Sequence, residues 1–129
     1  MEKINLDKVN YIQYGNDKGK DIILLHGWGQ NIEMMEPLGN PLSCKYHITL
    51  LDFPGYGKSA EPDEVWTVSD YAELVHELVK KLKIKKPTLI GHSFGGRVAI
   101  VYASKYEVDR VVLFGAPCVR TKKGLTIKE

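Results

Sequence analysis

The chain has 129 residues, 43% of them hydrophobic and 26% charged, the make-up of one globular domain able to bury a single core. Eighteen basic against sixteen acidic residues leave a net charge of +2, too little to point to nucleic acid or an anionic membrane surface. No window approaches a membrane span, and the first ten residues, MEKINLDKVN, lack the apolar core of a signal peptide, so the expected location is the cytoplasm.

Residues 9 to 14 (VNYIQY) alternate as a strand does, and 15 to 19 (GNDKG) form a turn cluster. Asp21 to His26 (DIILLH) is a continuous apolar run, as expected of a strand covered on both faces. It ends in His26-Gly27-Trp28-Gly29. Asn31 to Leu38 reads as a short helix broken by Pro37 and Gly39, with Met34 and Met35 as core filler. His47 to Phe53 (HITLLDF) is the next strand and leads into the turn-rich Asp52 to Ser59 (DFPGYGKS). Cys44 and Cys118 lie far apart without metal-type spacing and are expected as free thiols.

Thr67 caps a helix, with Asp70 three residues on as a weaker capping box, and Tyr71, Leu74, Val75, Leu78, Val79 and Leu82 recur along one apolar face. His76 falls on the polar face and is expected to be exposed. The lysines between Lys80 and Lys86 read as a solvated helix end, where cations suit the dipole.

Lys86 to Tyr106 is the stretch around which the rest is organised. Pro87 to Ile90 suits a buried strand, Val98, Val101 and Tyr102 recur at helical spacing, and Gly91-His92-Ser93-Phe94-Gly95 stands between them. In a strand-to-helix context this G-x-S-x-G pattern reads as a nucleophile elbow. The turn is so tight that its flanks must be nearly free of side chains, and the Phe94 amide falls at a helix N-terminus, a favourable place for developing negative charge. Val108 to Phe114 is the last strand. Strands alternating with helices predict an α/β fold, a mostly parallel sheet with helices on both faces and ligands beyond the carboxyl ends of the strands. The loops after His26, after Phe53 and at Ser93 all fall at that edge. Gly57-Lys58-Ser59 mimics the end of a phosphate-binding loop, but Asp52 stands where that motif needs glycine and would repel a phosphate.

HGWG after one strand, DFPGYGKS after the next and GHSFGG after a third resemble the α/β-hydrolase family, over roughly residues 9 to 118. The resemblance implies Ser93 as nucleophile and the backbone amides of Trp28 and Phe94 as an oxyanion hole. His26, Gly27, Gly91, His92 and Gly95 are then supporting motif residues, and Asp52 organises the Pro-Gly turn that follows it. Neither a cofactor nor a metal is implied. HGWG together with Ala116-Pro117-Cys118 looks most like small carboxylesterases, whose partner is a small-molecule ester or acyl substrate.

A serine of this kind needs a histidine to take its proton and a carboxylate to orient that histidine, and the family carries them in the order serine, acid, histidine. No histidine follows Ser93, and the acids that do are Glu107, Asp109 and Glu129. Of the upstream histidines, His26 is expected to hold its loop by hydrogen bonding and His92 to pack under the turn, pointing away from the reactive side. His47 opens a strand without special context. None is well placed as base, with His26 alone left open. The expectation is a single α/β-hydrolase-like domain over 1–129, incomplete at its C-terminus after about the sixth strand. Its last strand is then an apolar edge through which copies can self-associate. Two functions follow: a hydrolase of carboxylic esters working through a Ser93 acyl-enzyme, and a catalytically silent fragment or binding module of the same fold.

Overall fold

The computed structural model describes residues 6–27, 30–57, 59 and 66–115. A 3-10 turn over Leu6–Lys8 is followed by strand β1 (Tyr11–Gly15), β2 (Asp21–Leu25), helix α1 (Ile32–Leu42), β3 (His47–Leu51), α2 (Val68–Lys81), β4 (Thr88–His92), α3 (Phe94–Lys105) and β5 (Arg110–Phe114). The five strands form one sheet in the order β1-β3-β2-β4-β5. β1 runs antiparallel to β3, while β2, β3, β4 and β5 are mutually parallel.

Alternation along each strand sorts the apolar residues between two layers. Ile23, Leu25, Leu51 and Leu89 face α2 and α3, packing with Leu74, Val75, Leu78, Val98, Ala99 and Tyr102. Ile22, Leu24, Ile48, Leu50 and Ile90 face the other way and pack with Ile32 and Met35 of α1. With helices on both faces, β2 is buried at four successive positions, which explains the unbroken apolar run Ile22 to Leu25 after Asp21. At the sheet's other margin β5 pairs with β4 alone among the described residues, and its Val112 is 45% exposed.

Helix α2 begins as the spacing predicts. Thr67 Oγ1 accepts from the Asp70 amide and the Asp70 carboxylate accepts from the Thr67 amide, a reciprocal capping box. Helix α1 departs from its expected form, since it continues to Leu42 through both Pro37 and Pro41. The missing proline N–H groups would have bonded the carbonyls of Glu33 and Pro37, and Glu33, Pro37 and Pro41 all lie on the exposed face, where a carbonyl without a helical partner is not cut off from solvent. Gly39 is a contact point rather than a break, because a β-carbon there would stand 2.7 Å from the Tyr14 hydroxyl and 2.9 Å from Leu24 Cδ1. Met35 is buried as expected, whereas Met34 falls on the outer face of α1 and is exposed.

His76 corrects another expectation. Its ring stacks on Tyr106 with centroids 3.6 Å apart and planes 5° from parallel, so it is half-buried between α2 and α3 rather than exposed. His47 likewise has a specific partner, with Nδ1 2.8 Å from Asp21 Oδ1 across the start of β2 and β3. Beside His76, the Tyr106 hydroxyl lies 2.7 Å from both oxygens of Glu73 and ties the end of α3 to α2.

The Tyr106 hydrogen bond is the main reason that the Glu73 carboxyl titrates below its ordinary 4.5, with Lys105 adding to it. A depressed carboxyl contributes stability that is complete above the unfolded-state value and is lost as pH falls through the folded-state value. Tyr106→Phe keeps the ring stack and removes this bond, and should cost about 1 kcal/mol at neutral pH. Urea unfolding should show the gap between the two proteins narrowing as Glu73 protonates, and a gap unchanged into the acid range would contradict the assignment.

Candidate active site

Three loops leave the carboxyl ends of neighbouring strands. The loop after β2 carries His26 and Gly27, the loop after β3 carries Asp52 and Phe53, and the turn after β4 carries Ser93. Ser93 has φ 55° and ψ −115°, a conformation side chains rarely adopt, and the chain passes from β4 into α3 within this one residue. Its amide donates to the Phe114 carbonyl at 3.1 Å and its carbonyl accepts from the Gly96 amide at 2.9 Å. The side chain is partly exposed and caps no amide of α3.

So sharp a turn leaves no space at its flanks. A β-carbon at Gly91 would stand 2.6 Å from the Gly95 carbonyl oxygen and from Gly96 N and Cα. One at Gly95 would overlap the Leu25 carbonyl oxygen and lie 2.7 Å from that of His26. One at Gly27 would lie 3.0 Å from His92 Nδ1 and 3.2 Å from Ser93 Cβ. The loop after β2 and the serine turn therefore touch. Phe94 opens α3 at the positive end of its dipole, and its ring meets Phe53 at 5.9 Å and Tyr71 at 5.2 Å. Trp28 lies outside the described residues, as do Ala116, Pro117 and Cys118; Cys44 is an exposed free thiol.

His26 is 1% exposed and both its ring nitrogens are engaged. The Phe53 amide donates to Nε2 at 2.9 Å, which makes Nε2 the unprotonated nitrogen. Nδ1 then carries the hydrogen and donates it to the Gly27 carbonyl at 2.7 Å. The imidazole joins the loops after β2 and β3, as expected of a residue holding backbone in place. Burial pushes its pKa down, against smaller upward pulls from the Gly27 carbonyl and the Asp52 charge.

Asp52 is equally committed. Its carboxylate accepts from the Ile32 amide at 2.7 Å and from Asn10 Nδ2 at 2.9 Å, and its carbonyl accepts from Ser59 Oγ at 2.6 Å. It organises the turn that follows it, where Gly57 at φ +54° has no room for a β-carbon against the carboxylate. Asn10 also donates its amide to Ser59 Oγ at 2.7 Å, a role without any local sequence signal because the partners are 49 residues apart. His92 faces sideways rather than under the turn, with Nδ1 2.9 Å from Gln30 Oε1 and its ring 4.7 Å from that of Phe114. No histidine among the described residues hydrogen-bonds the Ser93 hydroxyl. A cavity of about 260 Å³ beside the start of α1 is lined by Asn10, Ile12, Glu33, Glu36 and Asp52 and does not include Ser93. Among the described residues no helix is long and apolar enough to cross a membrane.

Two measurements test this geometry. Gly95→Ala forces main chain against main chain and should destabilise the fold by about 3 kcal/mol or more in urea unfolding, a loss below about 1 kcal/mol being incompatible with the contact. His26 resists protonation in the folded state, so below its ordinary 6.5 the unfolded chain binds the proton first and stability falls as pH drops. His26→Asn keeps a donor and an acceptor without the titration; its stability between about pH 7.5 and 5 should fall less steeply than that of the wild type. Parallel pH profiles would contradict the burial of a neutral imidazole.

Comparison with known proteins identifies the fold. The family profile of the alpha/beta hydrolase fold matches residues 21–123. The pimeloyl-[acyl-carrier protein] methyl ester esterase of Aliivibrio fischeri is 32% identical over 110 residues, 83% of this chain and 41% of that protein. A probable serine hydrolase of Drosophila melanogaster is 32% identical over 104 residues, 77% of this chain and 31% of that protein. Among solved structures, an esterase from Exiguobacterium antarcticum superposes with a TM-score of 0.80 at 29% identity, over 93% of this chain and 46% of that one. The chain thus spans less than half the length of these relatives. By profile, by relatives and by sheet order, it belongs to the α/β-hydrolase family.

Proposed function

We propose that Ser93 is the nucleophile of a hydrolase acting on a carboxylic ester or a related small acyl substrate. One observation carries the reading: Ser93 stands at φ 55° on the turn between β4 and α3, with the Gly27 loop packed against it. Strain of this sort costs on the order of 1–3 kcal/mol and persists where the surroundings over-determine it. In this reading the Ser93 hydroxyl attacks the ester carbonyl while its proton passes to a base. The carbonyl oxygen becomes an oxyanion stabilised by the Phe94 and Trp28 amides. Collapse expels the alcohol and leaves an acyl-enzyme, which water then hydrolyses.

The base and the carboxylate that orients it are proposed to come from outside these 129 residues. His26 is unsuited, since its two nitrogens are spent on Gly27 and Phe53. Asp52 is unsuited because its carboxylate holds Ile32 and Asn10. Support for an ester as substrate comes from the relatives, two of which are named as esterases.

Turnover alone is a poor test, because an oxyanion hole and binding can leave about 10³ to 10⁴ over water when a triad is broken. A fluorophosphonate probe on the full protein reads the serine directly. Prompt one-to-one labelling that vanishes in Ser93→Ala, with ester kcat falling about 10³-fold or more, is the expected result. Labelling no faster than that of a free serine would instead identify a silent module of the same fold.

A further inference from the structure

We propose that Gln30 is a positioning residue whose side-chain oxygen clamps the loop after β2 to the serine turn, and that it does so by fixing His92 in its Nδ1-protonated form. The proposal rests on the reading of Ser93 as nucleophile for its kinetic consequence, though not for its geometry.

Two donors converge on one atom. The Gly27 amide lies 2.9 Å from Gln30 Oε1, and a backbone N–H can only donate, so the carboxamide presents its oxygen here and not its nitrogen. His92 Nδ1 is 2.9 Å from the same oxygen. A carboxamide oxygen has no hydrogen to give, so Nδ1 must carry one, and in the neutral ring the lone pair is then on Nε2. Nε2 faces the end of β5, where a β-carbon at Gly115 would stand 3.2 Å from it.

Gln30 also reaches Gly27 through the main chain, donating its amide to the Gly27 carbonyl at 3.1 Å. Gln30 therefore reaches both backbone polar groups of Gly27, sharing the carbonyl with His26 Nδ1. Gln30 is itself anchored, because it precedes Asn31, whose side chain caps α1 at the Met34 amide, and Ile32, whose amide is bound by Asp52. Gly27 is thereby fixed against His92 and Ser93. Its amide points at Gln30, so any oxyanion donor from this loop must come from a later residue. The Gln30 oxygen thus sets the spacing between that loop and the serine turn.

Misplacement of a preorganised donor by a fraction of an ångström acts on the transition state, so kcat should suffer and KM should hardly move. The test uses the full protein with ¹⁵N-labelled histidine. In the wild type, long-range ¹H–¹⁵N correlations should show His92 protonated at Nδ1. Gln30→Met, of similar length but without the acceptor, should lose that signature and slow fluorophosphonate labelling of Ser93 about 10- to 100-fold. It should lower kcat by a similar factor with KM within about twofold. Gln30→Glu keeps an acceptor oxygen and should restore both the signature and most of the rate. A wild-type His92 protonated at Nε2 and not at Nδ1, or a Gln30→Met protein with an unchanged His92 signal, overturns the proposal. A serine inert in the wild type sinks the hydrolase reading separately, and the tautomer still decides the clamp.

Discussion

The backbone of α3 comes so near the end of β2 that Gly95 has no room for a β-carbon against the Leu25 carbonyl. This contact places the serine turn. β4 lies beside β2 in the sheet, so a helix leaving β4 must cross the end of β2 at once, and only glycine at 91 and 95 lets the two backbones pass. The residue at the crest takes the strain. Ser93, at φ 55° and ψ −115°, is uphill by on the order of 1–3 kcal/mol. The Phe114 carbonyl on its amide and the burial of Val98, Ala99 and Tyr102 further along α3 offset that cost.

Polar groups buried at this edge are each matched to a specific partner. His26 serves one backbone carbonyl and one backbone amide, and Asp52 serves an amide of α1 and the side chain of Asn10. Truncating either would leave donors buried without acceptors, at about 1–3 kcal/mol each. The result is a rim in which the loops after β2 and β3 are joined to each other and to the start of α1. Aromatic contacts among His26, Phe53, Tyr56, Tyr71 and Phe94 fill the space beneath it. For the proposed reaction, such a rim would hold the neighbouring donors in place before substrate arrives, as electrostatic stabilisation requires.

The regular elements were legible in the sequence because period and capping are local. The DIILL run, the apolar face of α2 and the Thr67 box each reside in a dozen residues or fewer, and each strand fell within two residues of its expected start. What the sequence concealed depends on partners far along the chain. Proline reads as a helix breaker until one knows that Pro37 and Pro41 face water. His76 reads as exposed until Tyr106, thirty residues on, is folded over it. Gln30 has no motif of its own, and its role appears only when the loop after β2 is brought to a histidine 62 residues away. Glycine spacing announced the serine turn itself, because a steric requirement at 91 and 95 leaves a mark in composition that a hydrogen-bond partner does not.

The central claim is that Ser93 and the Phe94 amide address the same reacting carbonyl. A crystal structure of the full protein after reaction with a fluorophosphonate tests it most directly. The account predicts phosphorus bonded to Ser93 Oγ and a phosphonyl oxygen about 2.7–3.1 Å from the Phe94 nitrogen. An adduct on another residue, or a phosphonyl oxygen turned away from that amide, would contradict it.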